Sequence, residues 1–127
     1  MAVDTGRVGA YQPETESGGG YFYDDVLEYR VWLHPGRGAA RVNGGDDYFV
    51  AFAQYERADA FAKSATGADP PLVLVRQIEW IDEPAPRHFV PENGERLTEW
   101  QVRWLRESKR TASSVTDFMK HPPSSEK

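Results

Sequence analysis

The chain has 127 residues, a formal net charge of −5, 39% hydrophobic and 13% aromatic residues, 11 glycines and no cysteine. That length predicts one domain, and the apolar fraction suffices for a packed core. The missing cysteines exclude a disulfide framework, thiolate metal sites and a cysteine nucleophile. No apolar run approaches the roughly 18 residues needed to cross a bilayer, and the N-terminal stretch lacks the basic-then-apolar order of a signal peptide. A soluble, cytoplasmic protein with no membrane partner is therefore expected.

Residues 1–20 contain Thr5, Gln12, Pro13, Thr15, Ser17 and the run Gly18-Gly19-Gly20, with Val3, Val8 and Tyr11 scattered without period, and are expected to form a flexible arm. Leu27, Tyr29, Val31 and Leu33 then alternate with Glu28, Arg30, Trp32 and His34, the period-2 pattern of a half-buried strand. Pro35-Gly36-Arg37-Gly38 stops it, and Asn43-Gly44-Gly45-Asp46 supplies turn residues before a second strand over 48–55, apolar on both parities. Ala58, Phe61, Ala62 and Ala65 fall at i, i+3, i+4 and i+7, which predicts a helix over 56–66 ended by Gly67 and by Pro70-Pro71.

A third strand is expected over 72–81, carrying Val73, Val75 and Ile81 on one face and Leu72, Leu74, Ile78 and Trp80 on the other. A hairpin is expected to turn at Pro91-Glu92-Asn93-Gly94. Thr98 and Gln101 have capping-box spacing, and Leu97 can staple onto Val102, so a second helix is predicted over 99–109. Residues 111–127, with Ser113, Ser114, Pro122, Pro123, Ser124 and Ser125, read as a flexible tail in which Ser114-Val-Thr-Asp117 can start a short docking turn before Phe118 and Met119. The folded unit is thus 21–110. Its expected class is α+β: a small antiparallel or mixed sheet of four to five strands with two helices packed on one face.

His34, His88 and His121 are dispersed, with no helix-face metal spacing. His34 shares a strand face with Glu28, Arg30 and Trp32, where an exposed polar residue is the simpler reading. The doublets Asp24-Asp25 and Asp46-Asp47 lack the alternate acidic positions and terminal glutamate of a calcium loop, and read as solvated turns. Glu79, Asp82 and Glu83 cluster without a nearby histidine or serine in the sequence. The glycines and arginines of 34–45 lead into a strand rather than a helix, so neither a Rossmann nor a P-loop pattern is present. Residues 21–95 carry 13 acidic and seven basic residues, whereas 96–110 carry Arg96, Arg103, Arg106, Lys109 and Arg110 against Glu99 and Glu107. A basic helix bearing Trp100 and Trp104 could meet phosphates and stack a base, although the acidic remainder would repel a polyanion.

Glu28-Tyr-Arg-Val-Trp-Leu-His34, Asp46-Asp-Tyr-Phe-Val-Ala-Phe52, Arg57-Ala-Asp-Ala-Phe-Ala62 and Arg96-Leu-Thr-Glu-Trp-Gln-Val-Arg-Trp-Leu105 together resemble small bacterial proteins labelled as GNAT-type N-acetyltransferases. The resemblance spans about residues 28–107 and implies acetyl-CoA and an amine acceptor. The nearest counterpart of that family's pyrophosphate loop, Arg41-Val-Asn-Gly-Gly-Asp46, departs at its last position and precedes a strand, so no acetyltransferase residue is carried over.

With high aromatic content, uneven charge and no reactive set, the sequence is read first as a non-catalytic protein-binding or regulatory module, with no cofactor and no metal. Trp32, Trp100, Arg103, Trp104 and Arg106 are its expected binding residues, since aromatics and arginines dominate interface energetics. An acyl-CoA-dependent N-acetyltransferase-like enzyme is the alternative, and nucleic-acid binding through the basic helix the second.

Overall fold

A computed structural model describes residues 2–12, 22–106 and 108–120. Its centre is a four-stranded antiparallel sheet of order β2-β1-β3-β4, built from β1 (Asp25–Leu33), β2 (Tyr48–Phe52), β3 (Leu72–Ala85) and β4 (His88–Gln101), with helices α1 (Tyr55–Ser64) and α2 (Ser114–Lys120). This is the α+β class the sequence predicts.

One face of the sheet packs on α1. Tyr29, Val31, Val73, Val75 and Trp100 form a buried cluster with Ala58, and Tyr55, Phe61 and Ala62 lean on it from the helix. The stripe that predicted the helix is therefore the stripe that it buries. The alternation expected of β1 is interrupted once. A register shift between Val26 and Glu28 sets Leu27 on the opposite face, where it clusters with Tyr11 and Leu74. A bulge of this kind inverts facing without breaking the strand.

That opposite face is covered by residues 2–12. Ala2 N–H donates to Ala53 O and Val3 N–H to Val26 O, both at 2.9 Å, and Tyr11 is buried. The described part of the segment expected as a flexible arm thus lies on the sheet; residues 13–20 are outside the described residues. Isolated Val3, Val8 and Tyr11 show no period because the segment is held by backbone hydrogen bonds and one ring rather than by an amphipathic element.

The largest departure from the sequence reading is at 88–101. The hairpin does not turn at Pro91-Glu92-Asn93-Gly94; it turns around Pro86 and Arg87, where Arg87 has φ 64°, and Pro91 lies opposite Ile81 inside a long ribbon. β4 is an edge strand, a position in which a proline need not break a ladder. Nor do the described residues of 99–109 form a helix. Thr98, Glu99, Trp100 and Gln101 pair with Val75, Leu74, Val73 and Leu72, followed by a 3-10 turn, Val102–Leu105. Pairing of this stretch with the most apolar strand prevails over a local capping signal.

The C-terminal part returns to the sheet. Tyr23 bridges Lys109, Arg110 Nε donates to Asp24 Oδ1 at 2.7 Å, and Arg110 Nη1 reaches Glu79 at 3.2 Å. Phe118 of α2 stands edge-on to Phe22 and Phe89. The docking turn expected before Phe118 is this helix; residues 121–127, His121 included, lie outside the described residues.

Candidate functional site

The five expected binding residues separate into three environments. Trp32 lies on the face covered by the N-terminal segment, its ring against Phe49 and its indole N–H 3.3 Å from both Glu99 carboxylate oxygens. Trp100 projects from the other face and is 2% exposed, so it is a core residue and not a surface anchor. Its indole N–H is buried with no acceptor among the described residues. Arg103, Trp104 and Arg106 remain together at the surface, and Trp104 is 40% exposed.

The basic helix behind the nucleic-acid alternative is not formed, and its charges are dispersed. Arg96 stacks on the Trp80 ring at 4.4 Å and donates to Gln77 Oε1 at 3.0 Å, and burial lowers its pKa. Lys109 donates to the Asp24 carbonyl, and Arg110 is paired with Asp24 and Glu79. Such internal contacts take three of the five cations away from any single contact surface.

Arg103 lines a cleft of about 470 Å³, with Tyr55 and Asp59 of α1, Asp69, Pro70, Pro71 and Leu72 at the entry to β3, and Gln101 and Val102 at the end of β4. The two prolines that stop the helical pattern form part of its wall. Arg103 Nε donates to Gln101 Oε1 at 2.7 Å, fixing the guanidinium stem at the rim. Each carboxylate of the opposite wall has a cation. Asp59 is 2.8 Å from Lys63, one helical turn on, and Asp69 accepts from Arg37 Nη2 at 2.9 Å and faces His34 Nε2 at 2.7 Å. Burial pushes the Asp69 carboxyl up, but the hydrogen bonds from His34 and Arg37 outweigh it and hold it below its ordinary value.

His34 is the residue that sequence reasoning undervalued. Its ring lies between two carboxylates, with Nδ1 3.0 Å from Asp47 Oδ2 and Nε2 2.7 Å from Asp69 Oδ2. The hydrogen bond to Asp69 raises its pKa, partial desolvation opposes this, and the bond to Asp47 adds to the rise. Asp69 is 35 residues away in sequence, but close approach is built into the backbone: His34 N–H donates to Gly67 O, and a Cβ at Gly67 would lie 2.9 Å from His34 O. No sequence pattern around Asp69 marks the meeting, which follows from the pairing of β3 beside β1.

Among the described residues no group of three or more His, Asp or Glu side chains is placed to hold a metal ion, and no helix is long and apolar enough to cross a membrane. The segment compared above with a pyrophosphate loop forms a 3-10 turn, Asn43–Gly45, and leads into β2. Neither protein-family models nor curated proteins nor solved structures give a match to this chain.

Proposed function

We propose that this chain is a non-catalytic protein-binding module that takes an acidic, partly apolar segment of a partner protein at the cleft between α1 and the 3-10 turn Val102–Leu105. The observation that carries the reading is Trp104, 40% exposed, with exposed Arg103 before it and exposed Arg106 beyond Leu105, which is half-buried against the core. Trp104 packs on Trp100, ring centroids 6.2 Å apart, so it is presented on a core residue rather than on a loose loop. A held aromatic surrounded by arginines is the composition in which binding energy concentrates.

Tyr55, Leu72 and Val102 offer the cleft an apolar surface for one side chain of the partner, and the guanidinium of Arg103 suits a carboxylate beside it. The acidic wall does not oppose this, because Asp59 and Asp69 are already matched by Lys63, Arg37 and His34.

Selection of a displayed random-peptide library against the full chain tests the reading. Enriched peptides should place an aromatic or aliphatic residue next to Asp or Glu, and should bind Trp104→Ala and Arg103→Glu at least about tenfold more weakly, a loss of about 1.4 kcal/mol. Both variants should melt within a few degrees of the parent. Absence of enrichment, or peptides that bind both variants as well as the parent, overturns the proposal.

A further inference from the structure

His34 follows β1 directly, and its backbone is fixed on both sides: its N–H donates to Gly67 O at 2.9 Å, and its carbonyl accepts from Arg37 N at 2.8 Å and Ala39 N at 3.3 Å. The ring is therefore a stationary post between two carboxylates arriving from different connections. A neutral imidazole carries one N–H; it can donate to one carboxylate only, and turns a lone pair towards the other. Donation from both Nδ1 and Nε2 at 3.0 and 2.7 Å requires the imidazolium.

We propose that His34 is a proton-dependent latch: as imidazolium it ties the connection before β2, through Asp47, and the connection before β3, through Asp69, to the end of β1, and on deprotonation it releases Asp47. The charged groups facing the ring are Asp47, Asp69 and Arg37, the last opposing protonation from its place on Asp69. Their arrangement decides which contact breaks. Asp69 makes the shorter contact and keeps Arg37 whatever the state of the ring, whereas Asp47, with its side chain 56% exposed, has His34 as its ion-pair partner among the described residues. The neutral ring retains its proton on Nε2 for Asp69 and faces Asp47 with a bare Nδ1.

The segment set free leads into β2, an edge strand of five residues paired on one side only, to β1. An edge held by one neighbour responds to the loss of an anchor more than a central strand does. The device would thus loosen the β2 edge as pH rises while leaving the Asp69 wall of the cleft in place, and it does not depend on what the cleft binds.

Nitrogen-15 NMR of the histidine ring in the full chain, titrated from about pH 5 to 9, tests it. Both ring nitrogens of His34 should be protonated at the acid end, the midpoint should lie above the ordinary 6.5, and the neutral form should be the Nε2–H tautomer. Backbone amides of Tyr48–Phe52 should shift with the same midpoint. Asp47→Asn should lower the midpoint and weaken that β2 response; because Asp47 is largely exposed, this variant is expected to fold even if His34→Gln does not. A midpoint at or below 6.5, an Nδ1–H tautomer, or β2 amides that ignore the titration overturns the latch.

Discussion

Glu28 and Arg30, two residues apart on β1, are both fully buried and meet at 2.6 Å, Nε to Oε2. The pair is the seat of the N-terminal segment. Glu28 accepts from Gly9 N–H at 2.8 Å, and Arg30 donates to Tyr11 O and, at 2.8 Å, to Glu99, with its guanidinium 4.1 Å from the centre of the Phe49 ring. Removing one buried partner strands the other charge, so Arg30→Met should destabilise the fold by about 3–5 kcal/mol. Glu28→Gln combined with Arg30→Met should cost less than the sum of the two single changes. Urea unfolding of the four species measures the coupling, and strict additivity would show that the two charges do not act as a pair.

Thr98 is fully buried in β4, its hydroxyl donating to Gln77 Oε1 at 3.0 Å. It does not cap a helix. Gln77 in turn donates to Phe22 O and accepts from Arg96, so the hydroxyl belongs to a network joining β3, β4 and the chain before β1. Thr98→Val keeps the shape and the β-branch while removing the donor, and should cost about 1 kcal/mol by equilibrium unfolding. Far-UV circular dichroism should show no loss of helix.

Trp100 and Trp104 should respond oppositely to truncation. Trp100→Ala empties a core position and should cost about 3–5 kcal/mol; Trp104→Ala should cost about 1 kcal/mol or less, since exposed positions seldom decide stability. Thermal and chemical unfolding of the two variants separates the core tryptophan from the surface one.

The His34 and Asp69 contacts define a pH window of stability. His34 has a raised folded pKa, so its contribution is fully present below the unfolded value of 6.5 and is lost as pH rises through the higher folded value. Asp69 has a lowered folded pKa, so its contribution is present above the unfolded value of 3.8 and is lost as pH falls through the lower folded value. The difference in melting temperature between the parent and Asp69→Asn should therefore be greatest between about pH 4 and 6.5 and shrink on either side. A difference that does not vary from pH 3 to 9 would contradict this assignment.

Elements whose signal was their own were legible in the sequence. The alternation through Tyr29, Val31 and Leu33 marks β1, and Ala58, Phe61 and Ala62 mark α1, because in both cases the periodic residues are those that reach the core. β4 was obscured since Leu97, Thr98, Gln101 and Val102 mimic a helix start, while the deciding interaction, pairing of Thr98 with Val75 and Trp100 with Val73, lies more than 20 residues away. The binding residues suffered from the same misreading: a four-residue spacing puts Trp100 and Trp104 on one helical face, but a strand followed by a 3-10 turn sends one inward and leaves the other wet. The meeting of His34 with Asp47 and Asp69 depends on three chain segments converging at one end of the sheet, which no local pattern encodes.

The long β3–β4 ribbon has a consequence for how the chain reaches this fold. Its strands pair from Ala85↔His88 inward to Leu72↔Gln101, so each new pair closes only a short loop beyond the last, whereas β1 must find β3 across an intervening strand and helix. Loop-closure entropy then favours a zipper that starts at Pro86-Arg87 and recruits β1 late, with β2 attached to it. In stopped-flow kinetics, Val75→Ala in the ribbon's inner half should slow folding, whereas Val50→Ala on β2 should chiefly speed unfolding. Strand β2 would be the last structure gained and the first surrendered.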